Sequence, residues 1–135
     1  RVSMCNEALS MALRGALARA GQGVETIDRI VSGASGARRG DRLEAATLAA
    51  AWGDVKLPPV VTPKAVVGEY GGGLLAAAVL AAEGAPFGRL PAFETQDPAL
   101  SVAPHDGSPL PAPHRLLISA LAAGGAAAWA VLERP

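Results

Sequence analysis

Gly33-Ala34-Ser35-Gly36-Ala37-Arg38-Arg39-Gly40-Asp41-Arg42-Leu43-Glu44-Ala45 joins an expected strand to an expected helix, and its reading decides the fold. Ahead of it, Ile27 to Ser32 carries Ile27, Ile30 and Val31 and reads as a short strand. Behind it, Asp41 to Trp52 reads as a helix, with Leu43, Ala46, Leu48 and Ala51 available for packing. Asp41 stands at the N-terminal end of that helix, where a carboxylate can accept unpaired backbone N–H groups.

The pattern extends outward on both sides. Asn6 to Ala20 reads as a helix, because Leu9, Leu13, Leu17 and Ala20 recur at three- and four-residue spacing; Gly21 and Gly23 end it. Pro58-Pro59 breaks the chain before a second strand, Val60-Val61-Thr62. Gly71 to Glu83 is apolar nearly all round, the pattern of a helix buried on every side, and Gly84 closes it. Phe87 to Leu90 reads as a short strand, and Ala92 to Pro113, rich in Pro, Asp, Ser and Gly, as a surface loop. Arg115 to Ala123 and Ala126 to Glu133 then pair as a hairpin. Alternating helices and strands predict a three-layer α/β fold with a mixed sheet and a buried helix layer. A helix apolar on all faces needs more cover than so short a chain supplies, so a second sheet or domain is expected against it.

The 135 residues suit one domain, which buries roughly two thirds of its unfolded surface. Half the residues are hydrophobic but only 4% are aromatic, so small residues supply much of the apolar content and favour close packing of helices and strands. Twelve basic and twelve acidic residues cancel, giving no electrostatic case for nucleic acid or an anionic membrane. Cys5 is the only cysteine, which excludes an intrachain disulfide; it reads as a small buried thiol at a helix start. No metal-ligand spacing is present, and no cofactor is implied. The chain opens at Arg1 inside helical sequence, with nothing like a signal peptide, and reads as a cleaved product or half of a larger protein. Leu116 to Leu132 lacks charge and approaches the ~20 residues of a membrane span. Gly124-Gly125 divides it into two runs of strand length, which favours the hairpin.

Four segments resemble the C-terminal half of the β-ketoacyl synthases, condensing enzymes of fatty acid and polyketide synthesis with a thiolase-like fold. Met11 to Gly21 followed by Ile27-Asp28-Arg29-Ile30 is similar to the family's A-x-x-A-L-x-x-A-G…I-D-x-I run. The opening stretch resembles H-G-T-x-T-x-x-G-D-x-x-E-A. Thr62-Pro63-Lys64 to Glu69 resembles T-K-x-x-x-G-H, and Ser119 to Ala127 stands where the family has N-S-F-G-F-G-G-x-N. Four weak matches in the right order, over nearly the whole of residues 1–135, imply a thiolase-like half domain.

The departures bear on activity. The resemblance sets Gly33 and Glu69 where the family carries two histidines that stabilise the developing enolate and oxyanion. Glycine has no donor, and an ionised glutamate would repel the anion. Leu121 and Ala123 stand where phenylalanines line the acyl entry, and Cys5 does not match the nucleophile. Lys64, Asp41 and Glu44 match retained scaffold positions. They read as an ion-pair cluster tying the loop before the apolar helix to the preceding helix. The resemblance is nearest to chain-length factors, the non-catalytic ketosynthase-like subunits. It therefore implies a cytoplasmic hetero-oligomer with a ketosynthase-like partner chain, an acyl carrier protein as a further partner, and no catalysis by this chain.

Two other readings stay open. In one, Glu69 and Lys64 form an acid/base pair acting on an acyl thioester. In the other, Leu116–Leu132 associates with a membrane. A serine hydrolase fails, since no G-x-S-x-G elbow accompanies His105 and His114. Gly71-Gly72-Gly73 lacks the G-K-[ST] element of a phosphate loop and reads as close helix packing. Arg38-Arg39 reads as a solvated loop pair.

Overall fold

A computed structural model describes residues 5–86, 96–122 and 126–135. Helix α1 (Asn6–Arg19) presents Leu9, Leu13 and Leu17 as one buried stripe. It ends where Gly21 turns into the left-handed region and Gln22 N–H returns to the Leu17 carbonyl at 2.9 Å. Cys5 caps its start: the thiol accepts a hydrogen bond from Ala8 N–H at 3.5 Å and is exposed, not buried as expected. A single 3₁₀ turn (Val24–Thr26) leads into β1 (Arg29–Val31).

Helix α2 (Arg38–Trp52) begins three residues before the expected Asp41. The reason is local. Asp41 does not cap the helix from its first position but reaches back from its first turn, accepting from Ser35 N–H (3.1 Å) and Gly36 N–H (2.9 Å). Its buried face is Ala45, Leu48, Ala51 and Trp52, with Glu44 and Thr47 beside them.

Strands β2 (Val60–Val61), β3 (Arg115–Leu121) and β4 (Ala127–Glu133) complete a mixed sheet in the order β2-β1-β3-β4. β1 is parallel to both neighbours, with Ile30 opposite Val60 and Leu117, and β3 is antiparallel to β4. Alternation along the strands then builds two cores. Ile30, Val60 and Leu117 pack with α1 and α2, while Val31, Val61, Leu116 and Ile118 pack with α4 (Gly73–Ala82). Helices cover both faces, giving the three layers expected. The 96–114 segment has no helix or strand, and His105 N–H bonds the outward Val60 carbonyl at 2.8 Å, covering the open edge of β2. The expected strand Phe87–Leu90 and the Gly124-Gly125 turn lie outside the described residues.

Two expectations change here. α4 is not buried on every side: Gly73, Ala77, Ala78 and Ala81 face the sheet, while Leu75, Val79 and Leu80 are 63%, 58% and 52% exposed. Its apolar character therefore exceeds what this chain alone covers. Of the three glycines expected to serve close helix packing, only Gly73, the first residue of α4, is buried; Gly71 and Gly72 are exposed. Gly72 adopts φ 78° at the helix start, and a Cβ on Gly73 would meet the Tyr70 ring at 2.9 Å.

Candidate functional site

The loop leaving β1 is held by a buried carboxylate. Glu44, 4% exposed, accepts from Ser32 Oγ at 2.5 Å and from Gly33 N–H at 3.2 Å, and Ser32 Oγ in turn accepts from Ala34 N–H at 3.0 Å. Each carboxylate oxygen thus has a donor, which a buried charge requires. Glu44 is engaged as a structural acceptor, and neither of its oxygens is left as an unpaired base.

Gly33 itself is closed in from the other side. A Cβ built there would lie 2.8 Å from the Ser119 carbonyl oxygen and 3.3 Å from Ala120 Cα. Both are backbone atoms of β3, so no side-chain rotation relieves the contact. The glycine is needed for close approach of two chain segments rather than for an unusual φ.

Lys64 and Glu69 do not join the acidic pair. A separate short helix, α3 (Lys64–Val67), carries Lys64, whose Nζ contacts Glu69 Oε1 at 2.8 Å. The ion pair expected between Lys64 and the Asp41/Glu44 pair is therefore replaced by one within a single turn-length segment, and half of it, Glu69, stands in solvent. An exposed pair of this kind contributes about 0–1 kcal/mol. Leu121 ends β3, half-buried, and Ala123 lies outside the described residues.

A cleft of about 700 Å³ opens beside the loop, between the N-terminal turns of α2 and the 96–104 segment. The carboxylates of Asp41 and Glu44 and the hydroxyls of Ser32 and Thr62 belong to residues that line it, together with the apolar Leu48 and Leu100. That volume falls in the range of small-molecule sites, roughly 300–1,000 Å³. Arg42 and Asp97 clamp its rim through two hydrogen bonds of 2.7 and 3.0 Å. The Arg42 guanidinium, with help from Ala99 N–H, lowers the Asp97 pKa to about 2, and Arg42 is raised in return. Nothing in the sequence pattern reveals this pair, whose members are 55 residues apart. Arg38 and Arg39 are exposed on the first turn of α2. His114 lies outside the cleft, its N–H bonded to Asp28 at 2.8 Å. Among the described residues no group of three or more His, Cys, Asp or Glu could hold a metal ion.

This arrangement is a parallel strand, a loop pinned by a glutamate on the following helix, and a second helix layer beneath. Residues 2–83, more than half the chain, match the β-ketoacyl synthase C-terminal domain. The chain belongs to that family. A comparison with curated proteins returns no match. The matched region of this ketosynthase C-terminal domain contains α1, β1, α2, β2, α3 and α4, hence Gly33, Asp41, Glu44, Lys64 and Glu69. The hairpin β3–β4 follows it and completes the sheet. Among the described residues no helix is long and apolar enough to cross a membrane, and Leu116–Leu132 supplies strands β3 and β4.

Proposed function

We propose that residues 1–135 act as a non-catalytic, chain-length-factor-like half domain in fatty acid or polyketide-type biosynthesis. The complementary half of the thiolase-like fold, an active ketosynthase, or both come from a partner chain in a cytoplasmic assembly, which an acyl carrier protein visits. The observation that carries this reading is the closure at Gly33. The family frame sets a histidine there, yet the Ser119 carbonyl lies where that residue's Cβ would need room. The close approach of the loop after β1 to β3 supports a glycine, and no imidazole, at this position. The second histidine position holds Glu69, whose carboxylate engages Lys64 in place of a donor for an oxyanion. The uncovered face of α4 supports the partner: burying Leu75, Val79 and Leu80 contributes about 1 kcal/mol each, given that each is already partly covered.

The test is isolation of the assembly through a tag on this chain, with native mass spectrometry and condensing activity measured before and after Glu69→Gln. The expected result is a ketosynthase-like chain in stoichiometric amount and activity unchanged within about twofold. The 2.8 Å contact of Lys64 with Glu69 also motivates a second reading, in which the pair does acid/base work on an acyl thioester. Loss of activity in Glu69→Gln with the assembly intact would establish that reading and overturn the first.

A further inference from the structure

Arg29 opens β1, opposite Leu116 of β3, and is only 5% exposed. Its Nη2 donates to the Pro111 carbonyl at 2.6 Å, but its Nε is buried with no hydrogen-bond partner among the described residues. The adjacent carboxylate does not make up the deficit. Asp28 accepts through its two oxygens from the backbone N–H groups of His114 and Arg115, at 2.8 to 3.3 Å. Burial accordingly pulls the Arg29 pKa down, against a smaller opposing effect of Asp28. A buried cation without a contacting anion is costly, because a neutral carbonyl replaces only part of the lost hydration.

Arg29 lines a cavity of about 30 Å³ together with Thr62, His105 and Ser108, and with Val61 and Leu110 as apolar wall. No carboxylate is among its described lining residues. His105 also lines the cavity: its Nδ1 accepts from Gly107 N–H at 3.2 Å and stands 3.7 Å from Asp106 Oδ1, a carboxylate held by the Ser108 N–H and hydroxyl, which leaves Nε2 as the ring's donor toward other partners. That space holds a water-sized sphere with room to spare, and so admits a single-atom ion.

We propose that Arg29 and His105 hold one chloride ion in this cavity, linking the start of β1, the end of β2 at Thr62 and the 105–110 loop. Chloride accepts from several donors without a fixed geometry, which suits a guanidinium N–H and an imidazole N–H brought to one cavity by β1 and the 105–110 loop. The site is independent of the ketosynthase reading and would persist in a catalytic or a non-catalytic protein.

The test compares the purified native protein in sodium chloride and in sodium gluconate of equal ionic strength, since gluconate is too large to enter. Chloride at ten times its dissociation constant should raise the melting temperature by about 5 °C. Chloride-35 line broadening should saturate with protein, and should fall at least tenfold for Arg29→Met. Should Arg29→Met not fold, His105→Ala serves instead, with broadening reduced at least threefold. Crystals grown in bromide should show an anomalous peak within hydrogen-bond reach of Arg29 Nε. Equal melting temperatures in the two salts, a peak elsewhere, or water only at Arg29 each overturns the proposal.

Discussion

Gly33→Ala isolates the contact on which the functional reading rests. The new methyl would stand 2.8 Å from the Ser119 oxygen and 3.3 Å from Ala120 Cα, so backbone must move by several tenths of an ångström. Overpacking of this kind costs about 1–3 kcal/mol. Movement of the β1 end also loosens the 3.2 Å bond from Gly33 N–H to the buried Glu44 carboxylate, adding about 1 kcal/mol. Against this, alanine reduces the entropy of the unfolded chain and returns about 0.4–1 kcal/mol. The net expectation is destabilisation by about 2–3 kcal/mol.

Gly40→Ala is the matched control. It lies in the first turn of α2, with nothing within 4 Å of a built Cβ, so the substitution should stabilise by about 0.5–1 kcal/mol. Urea midpoints of both variants, in the native assembly at one fixed protein concentration, should therefore move in opposite directions at unchanged slope. Gly33→His should be at least as destabilised as Gly33→Ala and should gain no malonyl decarboxylation. A Gly33→Ala midpoint at or above wild type would refute the closure argument. So would a stably folded Gly33→His that decarboxylates malonyl thioester.

Three further outcomes follow from the described geometry. Glu44→Ala should destabilise by about 3 kcal/mol, read by urea midpoint, because it orphans Ser32 Oγ and Gly33 N–H inside the fold; Glu44→Gln keeps an acceptor and should cost less. Asp97 has a folded pKa of about 2, below its ordinary 3.8. Its contribution is complete above pH 4 and is lost as pH falls through about 2, so Arg42→Ala should raise the Asp97 pKa by NMR titration and move acid unfolding to higher pH. Leu80→Asp on the outer face of α4 should leave the circular dichroism of the chain unchanged while dissociating the assembly on size-exclusion chromatography.

Elements with periodic apolar residues were legible in the sequence. The Leu9–Leu13–Leu17 stripe gave α1, the apolar Ile27–Ser32 run gave β1, and the two apolar runs divided by Gly124-Gly125 gave β3 and β4. α3 was not legible, because four residues between Pro63 and Gly68 carry no period. The start of α2 was misplaced because Asp41 favours a cap on propensity, whereas here its carboxylate serves the loop from inside the first turn. The site was legible as a set of residues but not as a geometry. Pattern linked Lys64 to Asp41 and Glu44; yet Lys64 finds Glu69 five residues on, since a nearby partner costs less chain entropy to engage than a distant one. Arg42–Asp97 and the Gly33–Ser119 approach are long-range and leave no local trace.

The pairing of Glu44 with a glycine at position 33 has a physical explanation that needs no chemistry at the site. With glycine at 33, β3 closes to within a Cβ distance of the loop, which removes water from Gly33 N–H and Ser32 Oγ. Those donors then need an acceptor supplied by the protein, and Glu44 is the residue one helical layer away with two oxygens to offer. The carboxylate in turn requires both donors, since half a satisfied network is worse than none. Closure and carboxylate therefore support each other. A double-mutant cycle of Gly33→Ala with Glu44→Gln should show coupling of about 1 kcal/mol, because the first substitution already weakens the bond that the second alters. Strict additivity would mean that the glutamate holds the loop independently of the strand, with no coupling between closure and carboxylate.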